Sequence, residues 1–232
     1  MYSDPLGIPP DLLNERYGDR YFDVISALDE AKHIHIDGSR LVERLKNGFR
    51  IGETGFGAGR LLVSVMESLA CAKVVCKNLR YYSVERYPMP AERMLRIMQP
   101  FQDRAGRYID KVAAAYSKFD ISSNGWRRGV IRGEFGKIEL RLYLGEAIEM
   151  VNKLRAKCDA WFLDGHDPAK NPDMWRAELL SAIGDKTATG GTVTTYTVAG
   201  HVRRNLAAAG FSVEKTAGHG RKREALRGDY AG

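Results

Sequence analysis

Three acidic side chains occupy positions at which a protein could do chemistry on a small ligand. Glu53, Glu85 and Asp164 each end a short run that reads as a strand, and a turn residue or proline follows soon after. Strands of this kind are typical of a parallel α/β sheet, and open α/β sheets bind their ligands at the carboxyl edge. We therefore expect the three carboxylates at one edge of a sheet, where they can accept hydrogen bonds from hydroxyl or amine groups.

A glycine-rich turn follows the first of these acids. Three glycines at alternate positions span Gly55–Gly59, and the apolar pattern of residues 61–69 predicts a helix. Glycine lets a backbone turn sharply and approach a ligand closely. The spacing differs from the G-x-G-x-x-G loop of dinucleotide folds, because Arg60 stands where the third glycine would be. Glu-x-Gly-x-Gly-x-Gly is instead the pattern of S-adenosylmethionine (SAM) methyltransferases. In such an enzyme Glu53 would contact the ammonium group of the cofactor. The alternative is a plain strand-to-helix turn without a ligand.

Length, composition and charge narrow the function classes. The 232 residues suffice for one domain with a sizeable core, and no apolar run approaches the ~18 residues that a membrane span needs. The first residues lack the pattern of a secretion signal. Three cysteines without metal-type spacing predict reduced thiols in a cytoplasmic protein. The net charge of +7 favours a polyanionic partner such as nucleic acid.

The order of the predicted elements indicates the fold. Strands and helices alternate along the chain, which predicts an α/β fold with a doubly wound sheet. We expect a Rossmann-like SAM-dependent methyltransferase fold with a mostly parallel seven-stranded sheet and an antiparallel C-terminal strand. Residues 1–45 are predicted to form a small N-terminal extension that packs on the core, and residues 46–232 a single compact methyltransferase domain.

One short segment has a different pattern. Residues 32–38 alternate polar and apolar side chains and end in Asp-Gly, which predicts a small hairpin or edge strand. His33 and His35 would lie on one face of that strand. No cysteine or carboxylate cluster accompanies them, so we expect solvent-facing imidazoles and no metal site.

Six stretches taken together resemble one known family. The most specific is Pro-Ala-Lys-Asn-Pro-Asp-Met-Trp at 168–175. The other stretches are 51–57, 83–88, 161–165, 199–204 and 220–224. In these residues the chain resembles, from about Asp19 to Arg227, the methyltransferase domain of the tRNA wobble-uridine modification enzyme MnmC, which is also found as the stand-alone MnmD.

The resemblance implies a reaction and its partners. The family transfers methyl from SAM to the amine of 5-aminomethyl-(2-thio)uridine at the tRNA wobble position, giving 5-methylaminomethyl-(2-thio)uridine. It implies the tRNA anticodon stem-loop as partner and a separate enzyme that supplies the aminomethyl precursor. The flavin-dependent oxidase domain of bifunctional members has no room in this chain, so we expect no FAD. His166 and Asp167 depart from the family pattern Asp-Gly-Phe-Ala-Pro, which affects the shape of the substrate pocket.

Asp164 is the predicted catalytic residue. An alkylamine is mostly protonated near neutral pH, and a carboxylate can orient its lone pair and help the proton to leave. His166 is the alternative base, and Asp159, at the other end of the same strand, is expected to be dispensable.

The predicted cofactor-binding residues are Glu53, Gly55, Gly57, Glu85, Glu146 and Asp164. The predicted substrate-binding residues are Lys170, Asn171, Trp175, Arg221 and Lys222. Further candidates for contacts to RNA phosphates are Arg203, Arg204 and Arg223. Tyr196 is a second candidate, beside Trp175, for lining the base pocket.

Two other functions stay open at this point. A SAM-dependent N-methyltransferase, or an aminopropyltransferase-like enzyme, acting on a small amine would turn over without tRNA and with little sensitivity to salt. A non-catalytic RNA-binding module would bind tRNA with an affinity that does not depend on Glu53, Gly57 or Glu85.

Overall fold

The structure, a computed structural model, describes residues 10–22, 25–220 and 223–232 of the chain. The N-terminal part contains short elements: β1 (Leu13–Asn14), β2 (Asp19–Arg20), α1 (Ala27–Ala31), a π-helix (Lys32–Asp37) and α2 (Leu41–Arg44). The main body consists, in chain order, of β3 (Arg50–Glu53), α3 (Arg60–Cys71), β4 (Cys76–Glu85), α4 (Ala91–Met98), α5 (Gln102–Tyr116), β5 (Gly125–Gly133), β6 (Gly136–Leu144), α6 (Ala147–Lys153), β7 (Cys158–Leu163), α7 (Ala177–Asp185), β8 (Thr187–Thr195), α8 (Gly200–Ala208), β9 (Phe211–Ala217) and β10 (Glu224–Tyr230).

Strands β3 to β10 form one sheet with the order β5-β6-β4-β3-β7-β8-β10-β9. Neighbouring strands are parallel from β6 to β8, whereas β5 is antiparallel to β6 and β10 is antiparallel to both β8 and β9. The predicted mostly parallel, Rossmann-like sheet with an antiparallel C-terminal strand is therefore confirmed. An eighth strand, β5, joins the seven that were predicted, because it pairs with β6 along its whole length.

Helices cover both faces of the sheet. Helices α1 to α5 pack on one face in a single buried cluster, and α6 to α8 pack on the other. Every residue of β7 is buried, as expected for a central strand covered on both sides. Leu12 and Leu28 belong to the same cluster as Ile51 of β3, so the described N-terminal residues share the core of the main body. The division of the chain at residue 45 stays a prediction.

The strand predicted for residues 32–38 is wrong. These residues form the π-helix that continues α1, and Ile34, His35 and Ile36 are buried in it. His35 Nδ1 bonds to Thr194 Oγ1 at 2.9 Å, and His33 Nε2 lies 3.0 Å from the carbonyl oxygen of Ala217. Contacts of this segment with α3 and β8 decided its conformation, because the preference of an alternating pattern for a strand depends on tertiary context. No helix in the described ranges is long and apolar enough to cross a membrane.

Candidate active site

A cleft lies at the carboxyl edge of β3, β4, β6 and β7. It contains about 930 Å³ of empty space, part of which is open to solvent. Its walls come from the loop after β3, the ends of β4 and β7, the start of α6 and the N-terminal segment. Predicted site residues from five separate parts of the chain line it: Gly55, Gly57, Glu85, Glu146, Asp164 and Asn171.

The glycine loop joins β3 to α3, as the sequence predicts. Gly55 packs directly against the end of β7, because a Cβ at this position would lie 2.8 Å from the carbonyl oxygen of Asp164. Gly57 has a φ of +52°, which L side chains rarely adopt. The two glycines thus bring the start of α3 close to Asp164 and leave the loop backbone exposed to the cleft.

Glu85 ends β4 beside this loop. Its Oε2 accepts a hydrogen bond from the N–H of Gly57 at 2.9 Å, and its Oε1 accepts one from the N–H of Tyr87 at 2.8 Å. Burial raises the pKa of Glu85, while these two N–H groups oppose the shift. The carboxylate is therefore held in one orientation at the cleft wall, and each oxygen can accept a further hydrogen bond.

Glu53 is fully buried and does not line the cleft. Ser83 Oγ donates to its Oε2, and the buried hydroxyl of Tyr81 also interacts with this carboxyl. Burial raises the pKa of Glu53 to about 8 despite the Ser83 hydrogen bond, and the negative charge of Asp164 adds to the rise. Glu53 therefore lies outside the lining of the cleft, and its contact with the cofactor stays a prediction.

The buried carboxyl makes stability depend on pH. The pKa of Glu53 is about 8 in the folded chain and has its ordinary value of 4.5 in the unfolded chain. Between these pH values the unfolded chain releases this proton and the folded chain keeps it, so stability falls as pH rises from about 4.5 to about 8. We expect Glu53→Gln to weaken this dependence, measured by denaturant unfolding across that range. Parallel pH profiles of wild type and variant would contradict the assignment.

Asp164 follows β7 and forms an ion pair with Arg60. Arg60 Nη2 lies 2.8 Å from Asp164 Oδ2, and Asp164 Oδ1 accepts the N–H of Gly165 at 2.9 Å. The side chain of Arg60 is 7% exposed, and its Nη1 donates to the carbonyl oxygen of Ala27 at 2.9 Å. Burial lowers the pKa of Arg60, but the negative charges of Asp164 and, to a smaller extent, Glu30 outweigh this effect. The net result is a raised pKa of Arg60. The Asp164 carboxylate is thus held at the end of β7 by Arg60 and by the backbone.

Sequence reasoning missed Arg60 as a site residue. Its position could have indicated a special role, because Arg60 is the first residue of α3. A cation at a helix N-terminus is unfavourable, since the positive end of the helix dipole lies there. A buried cation at that position needs an acidic partner. The partner, Asp164, lies 104 residues further along the chain.

The N-terminal segment supplies a second set of residues that were not predicted. Asn14, Tyr17 and Tyr21 line the cleft next to His166. Asn14 Nδ2 lies 2.9 Å from His166 Nε2, and the Tyr17 and His166 rings lie 4.6 Å apart. Asn14 Oδ1 accepts the N–H of Arg16, so its amide nitrogen donates to the ring. His166 Nδ1 then carries the ring proton and lies 3.4 Å from Asp19 Oδ2.

The predicted substrate residues are separated by the fold. Lys170 Nζ donates to the carbonyl oxygen of Gly18 and to Asp19 Oδ1, both at 3.0 Å, on the outer side of the N-terminal segment. Trp175 is 1% exposed and does not line the cleft. Its Nε1 donates to the carbonyl oxygen of His166 at 3.0 Å, so it holds the loop from inside the core.

The remaining predicted residues lie in several places. Glu146 precedes α6, and its Oε1 forms an ion pair with Arg86 Nε at 2.8 Å at the cleft wall. Arg203 and Arg204 are exposed on α8 and do not line the cleft. Arg221 and Lys222 lie outside the described residues. Among the described residues, no group of three or more His, Cys, Asp or Glu side chains is arranged to hold a metal ion.

Known proteins resemble this chain in sequence over most of its length. It is 38% identical over 224 residues to the tRNA 5-methylaminomethyl-2-thiouridine biosynthesis bifunctional protein MnmC of Pseudomonas fluorescens, covering 93% of this chain and 33% of that protein. It is 36% identical over 220 residues to the protein of the same name from Chromohalobacter salexigens, covering 93% of this chain and 30% of that protein. The chain thus spans about a third of the length of these relatives.

A solved structure shares the fold, and a family model matches the sequence. The crystal structure of MnmC2 from Aquifex aeolicus superposes with a TM-score of 0.72 at 22% identity, covering 93% of this chain and 65% of that chain, a likeness that concerns the fold alone. A family model described as S-adenosyl-L-methionine-dependent methyltransferase matches residues 112–231, just over half of the chain and including Asp164. The chain belongs to this family of S-adenosyl-L-methionine-dependent methyltransferases.

Proposed function

We propose that this chain transfers a methyl group from SAM to the amine of 5-aminomethyl-(2-thio)uridine at the wobble position of tRNA. The product would be 5-methylaminomethyl-(2-thio)uridine. The observation that carries this proposal is the Asp164 carboxylate, which lines the cleft beside the glycine loop with its charge maintained by Arg60. The similarity over 93% of the chain to proteins named for this biosynthesis supports the choice of substrate.

The residues of the cleft fit SAM. When bound, SAM supplies a methyl group on a positively charged sulfur. Glu85 has the chemistry to accept hydrogen bonds from ribose hydroxyls, as the acidic residue after the second strand of such folds does. A Cβ at position 57 would lie 3.6 Å from the ring of Tyr21. Because Gly57 has no Cβ, the space between the loop and this ring is open. Glu146, with the wall at 145–148, would contact the adenine.

Glu85 provides a test of this cofactor assignment. Net contributions of hydrogen bonds to charged groups are about 1.5–3 kcal/mol, so we expect Glu85→Gln to raise the Kd of SAM about 10- to 100-fold by calorimetry. Glu92→Gln, an exposed carboxyl on α4, is the matched control and should leave the Kd unchanged. Equal affinity of the Glu85 variant and wild type would remove Glu85 from the site.

Asp164 is the group that we assign to the substrate amine. Methyl transfer is an in-line displacement, so the amine must be neutral and aligned when it reacts. A carboxylate oxygen accepts more than one hydrogen bond, so Asp164 can bind an amine N–H while Arg60 and the Gly165 N–H hold its two oxygens. The carboxylate then orients the nitrogen lone pair toward the methyl group and assists the departure of the proton.

His166 is a poorer candidate for this base. Its Nε2 accepts a hydrogen bond from Asn14, and its Nδ1–H is directed to Asp19. Both nitrogens are thus engaged with the N-terminal segment, whereas the amine needs an acceptor. We assign His166 the role of fixing that segment over the cleft, where its ring contacts Tyr17.

The RNA side of the proposal rests on fewer residues. Asn171 lines the cleft and would contact the wobble nucleoside, while Lys170, which pairs with Asp19 and does not line the cleft, would contact an RNA phosphate. Arg221 and Lys222 would contact phosphates of the anticodon stem-loop. A separate enzyme must install the aminomethyl group before this reaction. Because tRNA is the acceptor, we place the protein in the cytoplasm.

The substrate is tested by methyl transfer from labelled SAM to three acceptors. These are tRNA from cells that lack this final methylation, tRNA from cells that lack the aminomethyl precursor, and free small amines. We expect label only in the first tRNA, in its wobble nucleoside as a methylaminomethyl group, found by nucleoside digestion and mass spectrometry. Label on free amines without any on tRNA would replace the proposal with a small-amine methyltransferase. SAM binding without transfer to any acceptor would also contradict it.

A further inference from the structure

A second groove lies on the face of the sheet that carries α6, away from the catalytic cleft. Its floor is formed by β4, β5 and β6, and the end of α6 with the following residues forms its wall. Its lining includes five cations and one half-exposed tryptophan: Arg80, Arg128, Arg141, Lys153, Arg155 and Trp126.

The groove is strongly positive. No carboxylate is among its lining residues. Glu139 borders it and lies 3.3 Å from Arg141 and 3.7 Å from Arg80, and Glu149 lies 3.7 Å from Lys153. Arg128 and Arg155 are exposed and form no hydrogen bond or ion pair with the residues that the structure describes. Two guanidinium groups are therefore available for an anionic partner.

An aromatic group lies among these cations. The Trp126 ring packs edge-on against Tyr82, with 6.2 Å between centroids, and against Tyr143 at 5.3 Å. These contacts hold the indole in place while leaving it half-exposed. The guanidinium of Arg141 lies 5.6 Å from the Tyr82 ring centre, so charge and aromatic surface are continuous across the floor.

We propose that this groove binds RNA, with its arginines on backbone phosphates and Trp126 stacked on a base. Guanidinium groups match phosphate geometry, and aromatic rings among cations are the usual composition of surfaces for single-stranded RNA. A protein partner would need a matching acidic surface, whereas RNA supplies a negative charge at every nucleotide. The inference extends the proposed function, on which it depends for the identity of the RNA as tRNA.

The groove is placed to hold the same RNA molecule that enters the cleft. Arg80 precedes Glu85 by five residues in β4, which is about 17 Å at ~3.3 Å per strand residue. This distance is less than one turn of a duplex, which is ~34 Å in DNA. A stem or its flanking strand can therefore contact the groove while a neighbouring nucleotide occupies the cleft.

The test uses an unmodified tRNA transcript. The transcript has no aminomethyl group, so its binding tests the groove whether or not the proposed methyl transfer occurs. We compare Arg128→Glu/Arg155→Glu with Lys73→Glu/Lys118→Glu, an equal charge change at exposed positions away from the groove. We expect the groove variant to raise the Kd for the transcript at least tenfold. Its slope of log Kd against log salt should fall by about 1.4–1.8, since each of the two lost phosphate contacts contributes ~0.7–0.9.

Tryptophan fluorescence gives an independent readout. Trp161 and Trp175 are buried, which leaves Trp126 as the tryptophan that RNA can reach. We expect the transcript to quench the fluorescence of wild type, and Trp126→Phe to remove that quenching while keeping SAM affinity. Equal weakening in both charge-reversed variants would overturn the proposal, since affinity would then follow overall charge. Unchanged affinity in the groove variant, or quenching that persists in Trp126→Phe, would also overturn it.

Discussion

Asp164→Asn should lower kcat for methyl transfer about 10²–10⁴-fold, the range that positioned acid–base groups contribute. Asparagine keeps the size of the side chain but loses the charge that Arg60 maintains and that the amine needs as an acceptor. The KM for tRNA should change little, because most of the proposed RNA contacts lie elsewhere. Steady-state kinetics with labelled SAM and saturating tRNA measures both values.

Asp159→Asn is the matched control for this result. Asp159 lies in the same strand, β7, but at its other end, where its Oδ2 accepts the N–H of Arg50 at 2.9 Å and its Oδ1 pairs with Lys46 at 3.2 Å. This variant should lose some stability and keep the kcat of wild type. If Asp164→Asn retained kcat within tenfold, Asp164 would not be the catalytic residue, and the proton would leave by another route.

Arg60→Met should be the most destabilising of these substitutions. Removing one partner of a buried ion pair costs about 3–5 kcal/mol because the other charge is left uncompensated. We expect the lower end, about 3 kcal/mol, because the Asp164 side chain is 19% exposed and retains some contact with water. Denaturant unfolding monitored by circular dichroism, with and without SAM, measures the loss.

A double variant separates the structural role of Arg60 from its effect on the reaction. Replacing a buried pair with apolar residues is often close to neutral, so Arg60→Met/Asp164→Leu should regain much of the stability without regaining activity. Arg60→Lys keeps the charge but cannot bond to Asp164 and the Ala27 carbonyl as a guanidinium does, so it should retain stability better than kcat. If the double variant were no more stable than Arg60→Met, the ion pair would not be the source of the loss.

The carboxyl edge of the sheet was predictable because its signals are local. The glycine spacing between Glu53 and α3, the apolar run before Asp164 and the acid at the end of β4 each occur within a few residues. Parallel strands with crossover helices bring such ends to one edge regardless of the details of packing. The cleft therefore contains Gly55, Gly57, Glu85 and Asp164 as expected.

Burial and long-range pairing could not be predicted in the same way. The full burial of Glu53 depends on Ser83 in the neighbouring strand, and the burial of Trp175 depends on how its loop returns to the sheet. Each is decided by which side chains from distant segments fill the same space. Local patterns contain no information on that choice, and the helical conformation of residues 32–37 is a further example.

The amino-acid sequence is enough to predict the α/β class, the glycine loop, the acidic strand ends and the basic character of the chain. These follow from residue types at short spacing and from the total charge. The folded structure is needed to see that Arg60 pairs with Asp164, that Asn14 and Tyr17 border the cleft, and that arginines from three strands meet around Trp126. Such contacts join residues far apart in the chain, and it is the packing of the folded core that sets their distances.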